Sequence, residues 1–142
     1  MLKSVRVRDY MLTRPVVVAP DTDIFEAIHQ ILVNKISGVT VVDGDGRPVG
    51  ILSELDCLRA ILKATYHKEE VGHHPVSDHM TTEVETVLAD DDIIDVAASM
   101  LERKRRRRPV VDRQGRMVGQ VTCRALLQAI KAFDVPEDRR ER

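Results

Sequence analysis

The sequence predicts an α/β (α+β) chain in which a β-α-β-β-α unit is given twice, the two copies packed together as one pseudo-two-fold globular module. Three observations carry this. The chain matches itself without a gap when displaced by 69 residues, so that Val7 falls on Val76 and Gly50 on Gly119. Each copy holds a strand-turn-strand signature, TVVDGDGRPVGIL from Thr40 and PVVDRQGRMVGQV from Pro109. Apolar residues at helical spacing stand before and after each signature. Neither copy is long enough to bury a sufficient core by itself, so the two must close on each other.

Taken in order, residues 7–11 open the first copy as a short helical turn, repeated at 76–80. Residues 15–18 read as a short strand, with 85–88 as the counterpart. A helix follows over 22–34, with Ile24, Ala27, Ile28, Ile31 and Leu32 as its apolar stripe. Asp21 and Asp23 suit the positive end of its dipole. The matching helix over 91–103 carries Ile93, Ile94, Ala97, Met100 and Leu101. In the hairpin, Gly44-Asp45-Gly46 supplies turn chemistry, and Gly50 marks a place where another segment approaches closely. Ser53 is a good N-cap for a helix over 54–65, with Leu55, Leu58, Ile61 and Leu62 expected inward; 124–133 is its counterpart. The repeats therefore run 7–62 and 76–133, joined by a connector at 63–75 that Gly72 and Pro75 punctuate. The charged stretch 134–142 is expected to fray.

Composition narrows the function classes. Of 142 residues 43% are apolar, so a real core can form, and with 3% aromatics and no Trp that core is aliphatic. Base-stacking platforms are scarce. A net charge of −1 gives no global attraction to nucleic acid or an acidic membrane. No apolar run approaches the roughly 20 residues of a membrane span, and MLKSVRVRDYM lacks the apolar stretch of a signal peptide. Cys57 and Cys123 have no CxxC spacing and read as reduced thiols, which places the protein in the cytoplasm. There is no G-x-S-x-G, P-loop or Cys-His pairing, so no catalytic residues are assigned and an enzyme is not expected.

The PVVD strand start, the G-R-x-V-G hairpin and the helix entry Gly50-Ile51-Leu52-Ser53-Glu54-Leu55-Asp56, present twice in register, resemble a tandem pair of CBS (cystathionine-β-synthase-type) domains, a Bateman module. The resemblance spans about 5–133. It implies regulatory binding of an adenosine-containing ligand, an adenine nucleotide or S-adenosylmethionine, in clefts between the repeats, with no required cofactor. It also implies a homodimer and a regulated protein partner. Carried over by residue, a first site uses Ser53 and Asp56, with Thr82, Val84 and Pro109 as the adenine wall. A second has Thr122, with Arg106 and Arg107 where phosphate would sit and Thr13, Pro15, Ser37, Gly38 and Val39 on the adenine side. Ala125 stands where the family usually has Asp, so the ribose anchor is missing there. Thr40 stands where many members have Pro.

Alternatives remain at each feature. Ser53-x-x-Asp56 is also a capping-box variant, and Thr122 also a plain N-cap. The basic run Arg103-Lys104-Arg105-Arg106-Arg107-Arg108 suits a phosphate clamp, a solvated or inter-subunit surface, or a nucleic-acid patch. His67, His73, His74 and His79 cluster around the connector without metal-site spacing, and no metal is expected. The reading is a stand-alone regulatory CBS pair that signals by conformational change. A ligand-free dimerisation scaffold is the alternative, with nucleic-acid binding through the arginines less favoured.

Overall fold

The computed structural model describes residues 4–66 and 74–133. Each copy places a two-residue strand beside a hairpin. In the first, β1 (Val17–Val18) lies parallel to β2 (Gly38–Val42), which pairs antiparallel with β3 (Pro48–Ser53). Helix α1 (Ile24–Val33) connects β1 to β2, and α2 (Glu54–Tyr66) follows β3. The second copy repeats this with β4 (Val87–Leu88), α3 (Ile93–Arg103), β5 (Arg107–Val111), β6 (Met117–Thr122) and α4 (Cys123–Phe133). A short 3-10 turn precedes each, at Val7–Asp9 and Val76–Asp78. No described helix is long and apolar enough to cross a membrane.

The hairpin turns form as their residues dictate. Asp43 Oδ1 accepts from the backbone N–H of Asp45 and Arg47, both at 2.9 Å. Asp112 does the same for Gln114 and Arg116. Gly46 and Gly115 then take φ of +83° and +82°, a region glycine enters freely.

The two cores are completed by exchange. Val7 of the first copy is fully buried in the core of the second, among Val87, Ile93, Val110 and Val121. Val76 of the second is fully buried among Ile24, Val39, Val41 and Leu52 of the first. Backbone bonds fasten both insertions: Val7 N–H donates to Asp91 O at 3.0 Å and Val76 N–H to Thr22 O at 2.8 Å. The inserted segments also cap the helices they enter, since Ile93 N–H donates to Val5 O and Ile24 N–H to His74 O. Each then bridges the partner's hairpin edge: Leu12 exchanges two backbone bonds with Gln120, and Thr81 with Ile51. The close approach at Gly50 comes from Met80 of the inserted segment, and at Gly119 from Met11 and the Leu12 carbonyl.

The apolar stripes need correction. Leu55, Leu58 and Leu62 do not point inward; α2 buries Cys57, Ala60 and Ala64 instead, and the leucines stand 68%, 56% and 67% exposed. Leu32, Ile94 and Leu101 are likewise exposed, while Val96 joins the core in their place. Both faces of α2 are apolar, and the face with small side chains packs, because it lets the helix approach α1 and the sheet closely. The thiols are free, Cys57 buried and Cys123 exposed.

A Cβ on Gly119 would stand 2.8 Å from the Leu12 backbone carbonyl, which no side-chain rotation can relieve. Gly119→Ala is therefore expected to destabilise by about 1–3 kcal/mol. Urea unfolding measures it, and an unchanged midpoint would show that the Leu12 bridge is not seated as described.

Candidate functional site

Helix α2 begins on a closed capping box. Ser53 Oγ accepts from Asp56 N–H at 3.1 Å, and Asp56 Oδ2 accepts from Ser53 N–H at 2.9 Å. Ser37 O takes the Glu54 N–H at 3.0 Å. The capping reading of Ser53-x-x-Asp56 is thus realised, and three of the backbone donors at this helix entrance are already satisfied. Asp56 is buried, and its second oxygen, Oδ1, meets the exposed guanidinium of Arg59 at 3.0 Å.

The basic run is divided: Arg103, Lys104 and Arg106 are exposed, while Arg105 and Arg107 are half-buried and Arg108 is buried. Helix α3 ends at Lys104 in the left-handed region, φ 57°, and this turn hands residues 105–108 to the interface between the repeats. Glu85 gathers three of the arginines: Arg103 at 3.1 Å, Arg105 at 2.7 Å and Arg108 at 3.1 Å. The Arg105 hydrogen bond, with the Arg108 and Arg103 charges behind it, holds the Glu85 carboxyl below its ordinary range. Arg108 is almost wholly buried, and its Nε has no hydrogen-bond partner among the described residues. Arg107 crosses to the first repeat, donating to Gly38 O at 2.5 Å and to Ser37 Oγ. Burial, with Arg106 beside it, lowers its pKa. Lys104 and Arg106 are exposed and make no ion pair among the described residues.

These elements wall a cleft of about 690 Å³ between the repeats, within the usual range for small-molecule sites. One wall carries Ser53, Asp56, Leu55 and Leu58; the other carries residues 104–108 and Pro109. Thr81, Glu83 and Glu85, from the segment that follows the exchanged turn, close the side. The expected residues Ser37, Ser53, Asp56, Arg106, Arg107 and Pro109 thus meet in one cleft. Arg106 and Arg107 line this cleft together with Asp56, and β5 also sets Arg107 directly across from Thr122, where the family resemblance implied it. Thr82 and Val84 belong to the closing segment, but their alternate neighbours do the lining. Thr122 caps α4, accepting from Ala125 N–H at 3.1 Å. Val39 is buried in the first core, and Thr13 and Pro15 lie off this wall.

Glu85 is a cleft residue that motif reading did not name, and Arg108 entered it only as part of the basic run. Internal comparison carries the signal: Glu85 falls on Val16, Arg105 on Ile36 and Arg108 on Val39, so charge replaces apolar side chains only in the second copy. Of the histidines, His67 and His73 lie outside the described residues. His74 and His79 have ring centroids 5.6 Å apart. Burial, with His74 adjacent, lowers the pKa of His79. No group of His, Cys, Asp and Glu among the described residues is arranged to hold a metal ion.

A family model described as the CBS domain matches residues 7–63 and again 76–132. Among curated proteins, an uncharacterised protein of Methanocaldococcus jannaschii is 32% identical, the match covering 87% of this chain and 90% of that one. The inosine-5'-monophosphate dehydrogenase of Aquifex aeolicus is 34% identical over 85% of this chain, but the match spans only 24% of the enzyme. Among solved structures, CBSX2 of Arabidopsis thaliana in complex with AMP superposes with a TM-score of 0.80 at 29% identity, covering 92% of this chain and 99% of that one. The CBS domain pair of protein MJ0100, in complex with 5'-methylthioadenosine and S-adenosyl-L-methionine, gives 0.77 at 25% identity, covering 90% and 97%.

The Glu85 cluster has a pH signature. The folded protein binds this proton less readily than the unfolded chain, so Glu85 stabilises above its ordinary 4.5 and the contribution is lost as pH falls through the lowered folded value. Glu85→Gln is expected to unfold at lower urea at neutral pH and to lose less stability than the wild type below pH 4.5. Parallel acid limbs in urea titrations of the two would rule the ion cluster out as a stabilising contact.

Proposed function

The chain belongs to the CBS-domain family, with two copies of the domain in tandem, and we propose that it is a regulatory module that binds an adenosine-containing ligand in the cleft between the repeats. The observation that carries the proposal is the cleft itself, with Asp56 on one wall and a basic run on the other. A carboxylate oxygen can accept from ribose hydroxyls, and Asp56 Oδ1, paired among the described residues with exposed Arg59, can exchange that contact for a sugar. Ile51, Leu55 and Leu58 offer apolar surface to a purine. Related CBS pairs hold AMP, 5'-methylthioadenosine and S-adenosylmethionine, which supports this ligand class.

Regulation follows from where the walls come from. Asp56 belongs to one repeat and residues 104–108 to the other, so a ligand touching both has different contact with open and closed arrangements. Only such a difference shifts an equilibrium between them. Arg107 already bonds across the cleft to Ser37 and Gly38, and an anion beside it would redraw that bond. The role is binding and signalling, not catalysis.

The exposed leucines of α2 and α4, Leu62 at 67% and Leu127 at 69%, fit a homodimer in which a second copy covers them. Leu62→Glu combined with Leu127→Glu is expected to leave monomer, measured by light scattering. An unchanged mass would place any dimer contact elsewhere.

Calorimetry with adenosine, AMP, ADP, ATP and S-adenosylmethionine tests the ligand class. Asp56→Asn keeps an oxygen for the Ser53 N–H and is expected to weaken binding about tenfold, about 1.4 kcal/mol, without lowering thermal stability much. Absence of heat and of thermal shift with every compound would remove the ligand and leave the interaction scaffold.

A further inference from the structure

We propose that His74 and His79 form a proton-sensitive latch on the turn that the second repeat inserts into the first, so that charging both rings frees this turn and, with it, the side of the cleft that the following segment closes. The two insertions are alike in backbone and unlike in side chains. Val5 and Tyr10 flank Val7 at one of them, half-buried against the second core, and the Tyr10 hydroxyl donates to Ser4 O at 2.6 Å. By the 69-residue displacement, His74 and His79 hold the same two places around Val76. Valine and tyrosine stay uncharged near neutral pH, whereas histidine changes charge there. The fold closes one insertion without any histidine, so packing alone does not call for two at the other.

The rings are placed to feel each other. Both are half-buried, with centroids 5.6 Å apart. They stand on either side of the residue that carries the insertion. His74 O accepts from Ile24 N–H at 2.9 Å, Val76 N–H donates to Thr22 O at 2.8 Å, and His79 N–H closes on Val76 O at 2.9 Å. Two imidazolium charges at this separation repel, and parting the ends of the turn relieves them. Among the described residues, Lys63 of α2 adds to the repulsion at His79, while Asp78 of the turn and Asp56 of α2 oppose it. Asp23, at the entrance of α1, pairs by backbone with Pro75 between the rings. Burial and then His74 outweigh the acids and lower the His79 pKa. The folded chain therefore binds this proton less readily than the unfolded chain. The stability that goes with the neutral ring is present above the ordinary 6.5 and is lost as pH falls through it toward the lowered folded value. The chain itself couples the turn to the cleft. Thr81 exchanges two backbone bonds with Ile51 on β3, and Thr81, Glu83 and Glu85 line the side of the cleft. A turn that leaves its socket loosens the start of that side.

Amide hydrogen exchange of the intact chain, without ligand, tests the latch between about pH 8 and about pH 5, after correction for the intrinsic pH dependence of exchange. The Val76 and Ile24 amides report the histidine-bearing insertion, and those of Val7 and Ile93 report the other insertion in the same sample. Val76 and Ile24 are expected to open several-fold more often at the acid end, with Val7 and Ile93 unchanged. His74→Val and His79→Gln each leave one ionisable ring in the pair, and each is expected to flatten the acid response. Opening that is independent of pH in the wild type, or that rises equally at both insertions, overturns the latch. A response that survives in both variants overturns its assignment to this pair. The two insertions of the wild type serve as each other's control, so the comparison holds where a variant fails to fold.

Discussion

Each core is closed by a residue that belongs to the other repeat. Val7 and Val76 are fully buried in foreign clusters, and burying a valine is worth about 1.5–3 kcal/mol. Separation of the repeats would expose both and leave Ile24 and Ile93 without their backbone acceptors at the helix entrances. The hairpin tips add a second reciprocal contact, where Met117 N–H donates to Gly46 O at 2.8 Å and Arg47 Nε to Gln114 O at 3.2 Å. The halves are thus held at both ends.

The same exchange builds the cleft. After Val76 is inserted, the chain pairs Thr81 with Ile51 on the edge of β3 and runs on through Glu83 to Glu85. That path carries Glu85 to the arginines at the start of β5. The parallel pairing of β4 with β5, Val87 opposite Val110 and Leu88 opposite Val111, then sets Glu85 beside Arg108 within the second repeat. The insertion closes the side of the cleft, and the β4–β5 register places the acid that faces the arginines there.

Much of this was legible in the sequence, for identifiable reasons. The duplication, the hairpins at Gly46 and Gly115 and the capping box at Ser53 are local patterns, and local patterns survive into the fold. The face that α2 buries was not legible, because Leu55, Leu58 and Leu62 and the Cys57, Ala60, Ala64 stripe both have helical spacing. Periodicity locates apolar faces but not the distance at which they must pack. The grouping of Ser53, Asp56, Arg106 and Arg107 in one cleft was also hidden. The resemblance divides these residues between two clefts, Asp56 with Pro109 in one and the arginines with Thr122 in the other, whereas β5 runs along both walls.

The two copies solve one packing problem in different ways, and the difference bears on purpose. Where the first has Val16, Ile36 and Val39 packed on its core, the second has Glu85, Arg105 and Arg108. The apolar set shows that the fold needs no charge at these positions. Partly buried ion pairs rarely exceed well-packed apolar side chains in stability, because desolvation offsets the attraction. The Glu85 cluster is thus a poor candidate for a device whose only role is to hold the fold. It leaves Arg108 Nε without a partner among the described residues and an ionised acid beside an open cleft, both costs in a purely structural ledger. Those costs make sense if orienting cations toward the cleft is the use of the arrangement, with Glu85 as the strut that keeps the guanidinium groups from collapsing onto it.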